Sequence, residues 1–283
     1  MIDRLLLFGL TLSSLYSLAA IGFTLIFGVG RIANLSHGTF LMIAGYVFFT
    51  MNQFLGIPIW LGFLIAIVAS AAYSSMFFKG FVEKIMGDPI KEVFSTIVFA
   101  LIVEEVIVLA WGDYPLNIPP ILRGITIIGE AKVTNNILAV LVVSWTVLLA
   151  LLVFIHKSNV GRAIRAISSN REAAIIMGIN VSKINVATWI IAGMLAGVAG
   201  VFYGSYTYLK PDVWLTPLIM SFAIVIIGGL GSIKGSLVAS HIIGFIESFT
   251  VLFIDERLRG VITLILLVLI LMFRPQGLFG EEA

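Results

Sequence analysis

Glu104, Glu105 and Glu247 stand inside stretches of sequence that are otherwise apolar. A charged side chain at the centre of a bilayer costs about 2.5 to 3.5 kcal/mol on insertion scales, so carboxylates that persist there are candidates for ion or substrate contacts. Glu247 is the best placed, near the middle of its stretch; His241, six positions away, falls about 120° around a helix from it and makes no obvious pair. Glu104 and Glu105 are adjacent, about 100° apart on a helix, and are expected to snorkel or to touch neighbouring helices. Catalysis has less to draw on. His37, His156 and His241 are scattered, no H-E-x-x-H occurs, and no run of Asp and Glu could hold a metal or perform acid–base work. GGLGSIKGS (228–236) approaches G-x-x-x-x-G-K-[ST] but lacks glycine directly before the lysine, so the phosphate-cradling loop is missing and the chain is expected not to hydrolyse ATP. With no cysteine, disulfides, thiol catalysis and cysteine-bound zinc or iron–sulfur centres are excluded. The chain is therefore expected to bind no metal and no cofactor of its own.

The elements that would position these residues follow from composition. Of 283 residues 60% are hydrophobic and only 11% charged, against about 25% charged in a soluble domain. At about 20 residues per crossing this is material for about eight transmembrane helices. Seventeen basic and 15 acidic residues give a net charge of +2, with no large single-sign patch to suggest nucleic acid. Low-charge windows fall at 5–28, 37–54, 59–78, 93–111, 136–155, 186–204, 215–229, 236–254 and 258–273. The expected fold is an all-α, polytopic bundle of eight or nine spans forming one domain over 1–283, the seventh window being short enough for a half-span. The first window is too long for the core of a cleaved leader and reads as a retained helix. Lys157, Arg162, Arg165, Arg171 and Lys183 after the fifth window, and Lys79, Lys84 and Lys91 after the third, mark the cytoplasmic side. That count puts the Arg274 tail and the C-terminus inside, the 112–135 loop outside and, with nine crossings, the N-terminus outside. The 112–135 loop, with Pro115, Pro119 and Pro120 ahead of β-branched residues, reads as a small hairpin or cap, with Asp113 and Glu130 balancing Arg123 and Lys132.

Three further features carry information. The first is SSNREAAIIMGINVSK (168–183), within a cytoplasmic segment at 157–185. Ser169 and Glu172 fit the S-x-x-E capping box, and Gly178 suits the left-handed residue that ends a helix. A helix of about eight residues, 170–177, is marginal alone in water, and Ala173, Ile176 and Met177 share one face. That face needs a partner, either the chain's own membrane part or a groove on another protein. The second is the stripe Gly193, Gly197, Gly200, Gly204, small residues that let helices approach closely in lipid; internal packing and a moving interface beside a permeation path are both open. Gly228, Gly229, Gly231 and Gly235 form another cluster, and IIGGLGSIKGSLV (226–238) loosely echoes IFGVGRI and HGTFLM (26–32 and 37–42), so a weak internal repeat and a plain cytoplasmic turn are both open. The third is 32–45, where Asn34, Ser36, His37 and Thr39 bring polar groups to the start of a span. With Glu247 they are candidates for a translocation path, the alternative being a helix cap at the membrane surface.

Glu172, Ala173, Ala174 and Gly178 resemble the EAA-x-x-x-G coupling loop of permease subunits in ABC importers. IANLSHGTFLMIAGY (32–46), GINVSKINVATWIIAGMLAGVAGVFYG (178–204) and RPQGLFG (274–280) are similar to stretches of branched-chain amino acid permeases of the LivH type. The likeness spans nearly the full length. It implies a prokaryotic cytoplasmic-membrane subunit that moves branched-chain or related amino acids. It also implies that Glu172, Ala173, Ala174, Ile176, Met177 and Gly178 dock on a separate ATPase. The implied partners are a second permease subunit of M type, two ATP-binding subunits carrying ATP and Mg, and an extracytoplasmic substrate-binding protein. A self-sufficient secondary transporter or channel is the rival; it would need a driving-ion site, for which Glu247 is the candidate.

Overall fold

The computed structural model describes residues 2–129 and 131–280. Glu130 and 281–283, which include part of the expected loop charge balance and the chain end, lie outside the described residues. The elements run α1 (Ile2–Gly30), α2 (His37–Phe49), α3 (Ile59–Phe77) prolonged through a π turn into α4 (Glu83–Ile85), α5 (Pro89–Trp111), β1 (Ile125–Ile128), β2 (Ala131–Thr134), α6 (Asn135–Lys157), α7 (Asn159–Ser169), α8 (Arg171–Ile176), α9 (Val181–Tyr206), α10 (Leu215–Gly228), α11 (Ile233–Phe253) and α12 (Val261–Phe273). Several starts are written in single residues. Asp88 accepts from the Lys91 N–H with Pro89 at the first helical position, and Asn180 and Ser232 do the same for α9 and α11.

Among the described residues, seven helices are long and apolar enough to cross a bilayer. The expected windows at 37–54 and 258–273 contain 13-residue helices instead, about 20 Å of rise where the hydrocarbon core is about 30 Å thick. A π turn over Thr50–Phe54 prolongs α2. For α2 the reason is where it begins. His37 Nε2 lies 3.0 Å from the Ala19 carbonyl, and Ala19 is eleven residues, about 16 Å, before the end of α1. After α1 ends at Gly30, residues 31–36 fold back into the bundle and α2 starts deep inside it, with Ile32, Asn34 and Ser36 fully buried. The start of α10 meets it there: a methyl on Gly38 would collide with the Trp214 carbonyl. Irregular backbone at such depth persists only inside protein or against a water-filled cavity.

α1 is the central helix, packed against α9, α10, α11 and α6. Its seam with α11 is built of small and hydroxyl residues running antiparallel. Ser17 Oγ and Ser240 Oγ are 2.5 Å apart, Thr24 Oγ1 and Ser236 Oγ 2.5 Å, and Gly244 stands against Ser13. The Gly193 stripe of α9 forms a second seam. A methyl on Gly193 would lie 2.5 Å from Ser74 Oγ, one on Gly197 3.0 Å from Ile67 Cα, and one on Gly200 inside the Leu41 carbonyl, while Gly204 faces Ile118 and Leu209. Ser70 Oγ and Ser74 Oγ cross the same seam to the carbonyls of Gly193 and Trp189, at 2.8 and 2.5 Å.

The two ends of the bundle differ. At one, β1 and β2 pair antiparallel with Ile125 opposite Thr134, giving the hairpin expected in the 112–135 loop, and Leu116 bridges Leu209. At the other, α1 ends beside Gly231 and Ser168, and the tail pairs back through Leu278 N–H to Ile227 O (2.8 Å) and Phe279 N–H to Gly228 O (3.0 Å). This second end carries α7, α8 and the lysine- and arginine-rich loops.

Candidate functional site

The short segment at the basic end is more built than its sequence suggests. Lys157 to Ser169 is not a loop: Ser158 caps α7, and Gly161, Ile164 and Ile167 turn inward while Arg162 and Arg165 face outward. The spacing of Val160, Ile164 and Ile167 at i, i+4 and i+7 is the signal that reveals this helix. Because α7 runs on through Ser169, the capping box moves. Asn170, in extended backbone, is the cap of α8, its Oδ1 accepting from the Ala173 N–H at 2.9 Å, and Glu172 is an exposed residue of the first turn rather than a capping partner. α8 spans six residues, not eight. Gly178 ends it at φ +82°, with its N–H on Ile175 O (2.9 Å) and the Ile179 N–H on Ala174 O (3.0 Å), the paired bonds of a Schellman motif. Only Ala174 turns into the bundle, at 3% exposure. Ile176 and Met177 stand 85% and 81% exposed, with Ile175 and Ala173 beside them. A cavity of about 390 Å³ touches α8 only through Arg171, with Arg31 and Glu92 also in its wall.

The polar residues at the start of α2 form one connected group. Asn34 Oδ1 accepts from the Ser36 N–H at 3.0 Å, Ser36 Oγ lies 3.1 Å from Thr39 Oγ1, and Thr39 Oγ1 lies 3.2 Å from the Tyr73 hydroxyl. Ser36 is at the cap position without bonding as a cap. These side chains are wholly buried within the protein. Asn34 Nδ2 and His37 Nδ1 have no partner among the described residues. Tyr73 and Thr96, whose Oγ1 accepts from the Leu35 N–H at 3.1 Å, join the group from α3 and α5. Sequence spacing missed them because they come from helices distant in the chain.

Glu247 stands apart from this group. Its Oε1 accepts from the Gly260 N–H at 2.7 Å and from Thr263 Oγ1 at 2.8 Å, so it holds the start of α12. Its other oxygen is 3.9 Å from Arg259 Nε. Arg259 lies inside the 258–273 window, a cation in an otherwise uncharged stretch. Near it Ser248 Oγ reaches Leu5 O, in the first turns of α1, at 3.5 Å; this cluster therefore sits toward the hairpin end. Glu104 binds the Trp214 indole N–H at 2.8 Å and so fixes the start of α10, while Glu105 is exposed. His241 packs its ring 5.3 Å from Trp145.

A bundle of long apolar helices with re-entrant starts, buried polar groups and an exposed capped helix at one end is the context for three comparisons. A model of the branched-chain amino acid transport system permease component family matches residues 5–271. The chain is 29% identical to the high-affinity branched-chain amino acid transport system permease protein LivH of Escherichia coli (strain K12), covering 96% of this chain and 94% of that one. It is 30% identical to BraD of Pseudomonas aeruginosa, described in the same words, over 96% and 94%. A shorter likeness, 30% identity over 36% of this chain and 34% of the relative, links it to the ribose import permease protein RbsC of Escherichia coli (strain K12). No solved structure matches the chain. With the family model covering nearly the whole chain, this multi-pass membrane protein belongs to the permease components of branched-chain amino acid transport systems.

Proposed function

We propose that the chain is the transmembrane permease subunit of an ATP-driven ABC importer that brings branched-chain or chemically related amino acids across the cytoplasmic membrane of a prokaryote. It works beside a second permease subunit, an M-type homologue, receives cargo from an extracytoplasmic binding protein, and docks on two ATP-binding subunits that hold ATP and Mg. The observation that carries this reading is α8. Its two ends are closed by a cap and a Schellman motif, it is anchored through Ala174, and it presents Ala173, Ile176 and Met177 with none of the described residues covering them. A closed apolar knob on the basic end supports docking of another protein in the cytoplasm, with Glu172 exposed on its first turn and Gly178 ending it. The basic end, with the tail up to Gly280, is then cytoplasmic. α2 and α12 complete eight or nine spans as partial crossings.

The group around Asn34, Ser36, His37 and Thr39 is proposed as part of the path, because buried polar side chains at a broken helix start supply partners for a solute once the packing opens. The likeness to a ribose permease means that the cargo rests on the closer relatives and on the scarcity of charge in the spans. A secondary transporter is disfavoured by Glu247, whose Oε1 is already engaged by α12.

The test is leucine uptake by the reconstituted complex. Ile176→Asp with Met177→Asp should lower ATP-driven uptake at least tenfold and release the ATPase on purification, while thermal stability of the permease stays within about 0.5 kcal/mol, as for exposed sites. Full uptake by the double variant would sink the docking assignment.

A further inference from the structure

Arg259 is incompletely paired within the fold. It lies in the turn between α11 and α12 with its side chain 24% exposed, and its Nε has no hydrogen-bond partner among the described residues. Glu247, 1% exposed, faces it at 3.9 Å, too far to take that donor, and Glu247 Oε2 is also left without a hydrogen bond. The Arg259 side chain also hydrogen-bonds Tyr206 and lies near Tyr16 and Tyr203, and it lines a pocket of about 120 Å³ walled by Phe8 and Leu12 of α1, Ser248, Val251 and Leu252 of α11 and Tyr206 of α9. The lining is mostly apolar, with Ser248, Tyr206 and Arg259 as its polar members, and a few polar groups in an apolar wall are how small-molecule sites fix a ligand's orientation.

We propose that this pocket is a subsite for a small aliphatic amino acid, in which Arg259 takes the carboxylate, the apolar walls take the side chain and Glu247 is the positioning residue for Arg259. The proposal rests on the transport reading and names where cargo first meets the permease. Three observations support it. Guanidinium is the side chain best shaped to receive a carboxylate by two parallel hydrogen bonds, and here it has a donor to spare. A volume of about 120 Å³ accommodates a branched aliphatic side chain. The pocket lies between the first turns of α1 and the last turns of α11, at the hairpin end opposite α8, which is where a solute delivered from outside would arrive.

The experiment uses the purified complex with Val251→Cys, or in parallel Leu252→Cys, in this naturally cysteine-free chain. Modification by an anionic and by a cationic methanethiosulfonate reagent is followed by mass spectrometry of the peptide, with L-leucine, leucinol or phosphatidylglycerol added. The expected result is faster labelling by the anionic reagent, slowed several-fold by leucine and not by leucinol, which lacks the carboxylate. Arg259→Gln should abolish both the charge preference and the protection, Arg259→Lys should keep the preference, and Glu247→Gln should weaken protection without removing the preference. Equal protection by leucine and leucinol would overturn the role of Arg259. No protection by leucine in a complex that transports it would overturn the subsite, and protection by phosphatidylglycerol alone would make it a lipid site. Protection by leucine in a complex that takes up no leucine would leave the pocket standing and bring down the transport reading instead.

Discussion

The glycine stripe of α9 and the exposed face of α8 are both written in helical periodicity and end in opposite surroundings. Gly193, Gly197 and Gly200 recur at i, i+4 and i+7, and Ala173, Ile176 and Met177 at i, i+3 and i+4; each set shares one side of its helix. The stripe is pressed against the backbones of α2 and α3, whereas the α8 face is open. Periodicity says which side chains look the same way, and it is silent on whether the fold already covers that way. The difference separates residues that build this chain from residues left for a partner.

The largest effect expected from breaking that contrast is on the stripe. Gly200→Leu places a side chain where the Leu41 carbonyl stands, so the helices must separate; overpacking of this kind costs about 1 to 3 kcal/mol, and more when backbone has to move. Met194→Leu, on the same helix at a position 46% exposed, should change little. Thermal unfolding of the two variants in detergent, with the yield of monodisperse protein, measures the gap, and equal stability would mean that α9 does not depend on its close approach to α2.

A smaller and more local effect sharpens the other side of the comparison. Asn170→Ala removes the cap of α8 and should destabilise it by about 1 kcal/mol, read as faster hydrogen exchange at the amides of 173–176. Ser169→Ala and Glu172→Ala should leave that exchange nearly unchanged, because the capping bond comes from Asn170. Protection lost in Ser169→Ala instead would restore the S-x-x-E reading.

The smallest effect is expected in the seam between α1 and α11. Replacing both Ser17 and Ser240 by alanine deletes one hydroxyl pair while keeping the small size that lets the helices meet, and such bonds in membranes average about 0.6 kcal/mol. Ser17→Leu should be far worse than the double alanine variant. If the alanine pair were as damaging as leucine, hydrogen bonding and not close approach would hold the seam.

Much of this architecture is legible before any coordinates. Apolar windows located the seven long helices, Pro and β-branched residues marked the hairpin, and Gly178 marked the end of α8, because hydropathy, ring constraint and left-handed backbone act locally. α7 was also legible in Val160, Ile164 and Ile167, and the seam with α11 in Ser236, Ser240, Gly244 and Ser248, four residues apart. What only the tertiary structure decided is where chains far apart in sequence meet. Burial of the start of α2, about 16 Å inside the end of α1, depends on residues 31–36 turning back, and nothing in Asn34 or Ser36 alone distinguishes that from a cap at the surface. The placement of Glu247 on the Gly260 N–H, away from the Asn34 group, depends on where α12 begins. The cap of α8 shifted by one residue because the stability of α7, which comes from Ile164 and Ile167 packing on the bundle, carried that helix through Ser169. Local chemistry determined which segments are helices and which faces they own; packing between distant segments, whose energies no single stretch contains, decided which of those faces are covered.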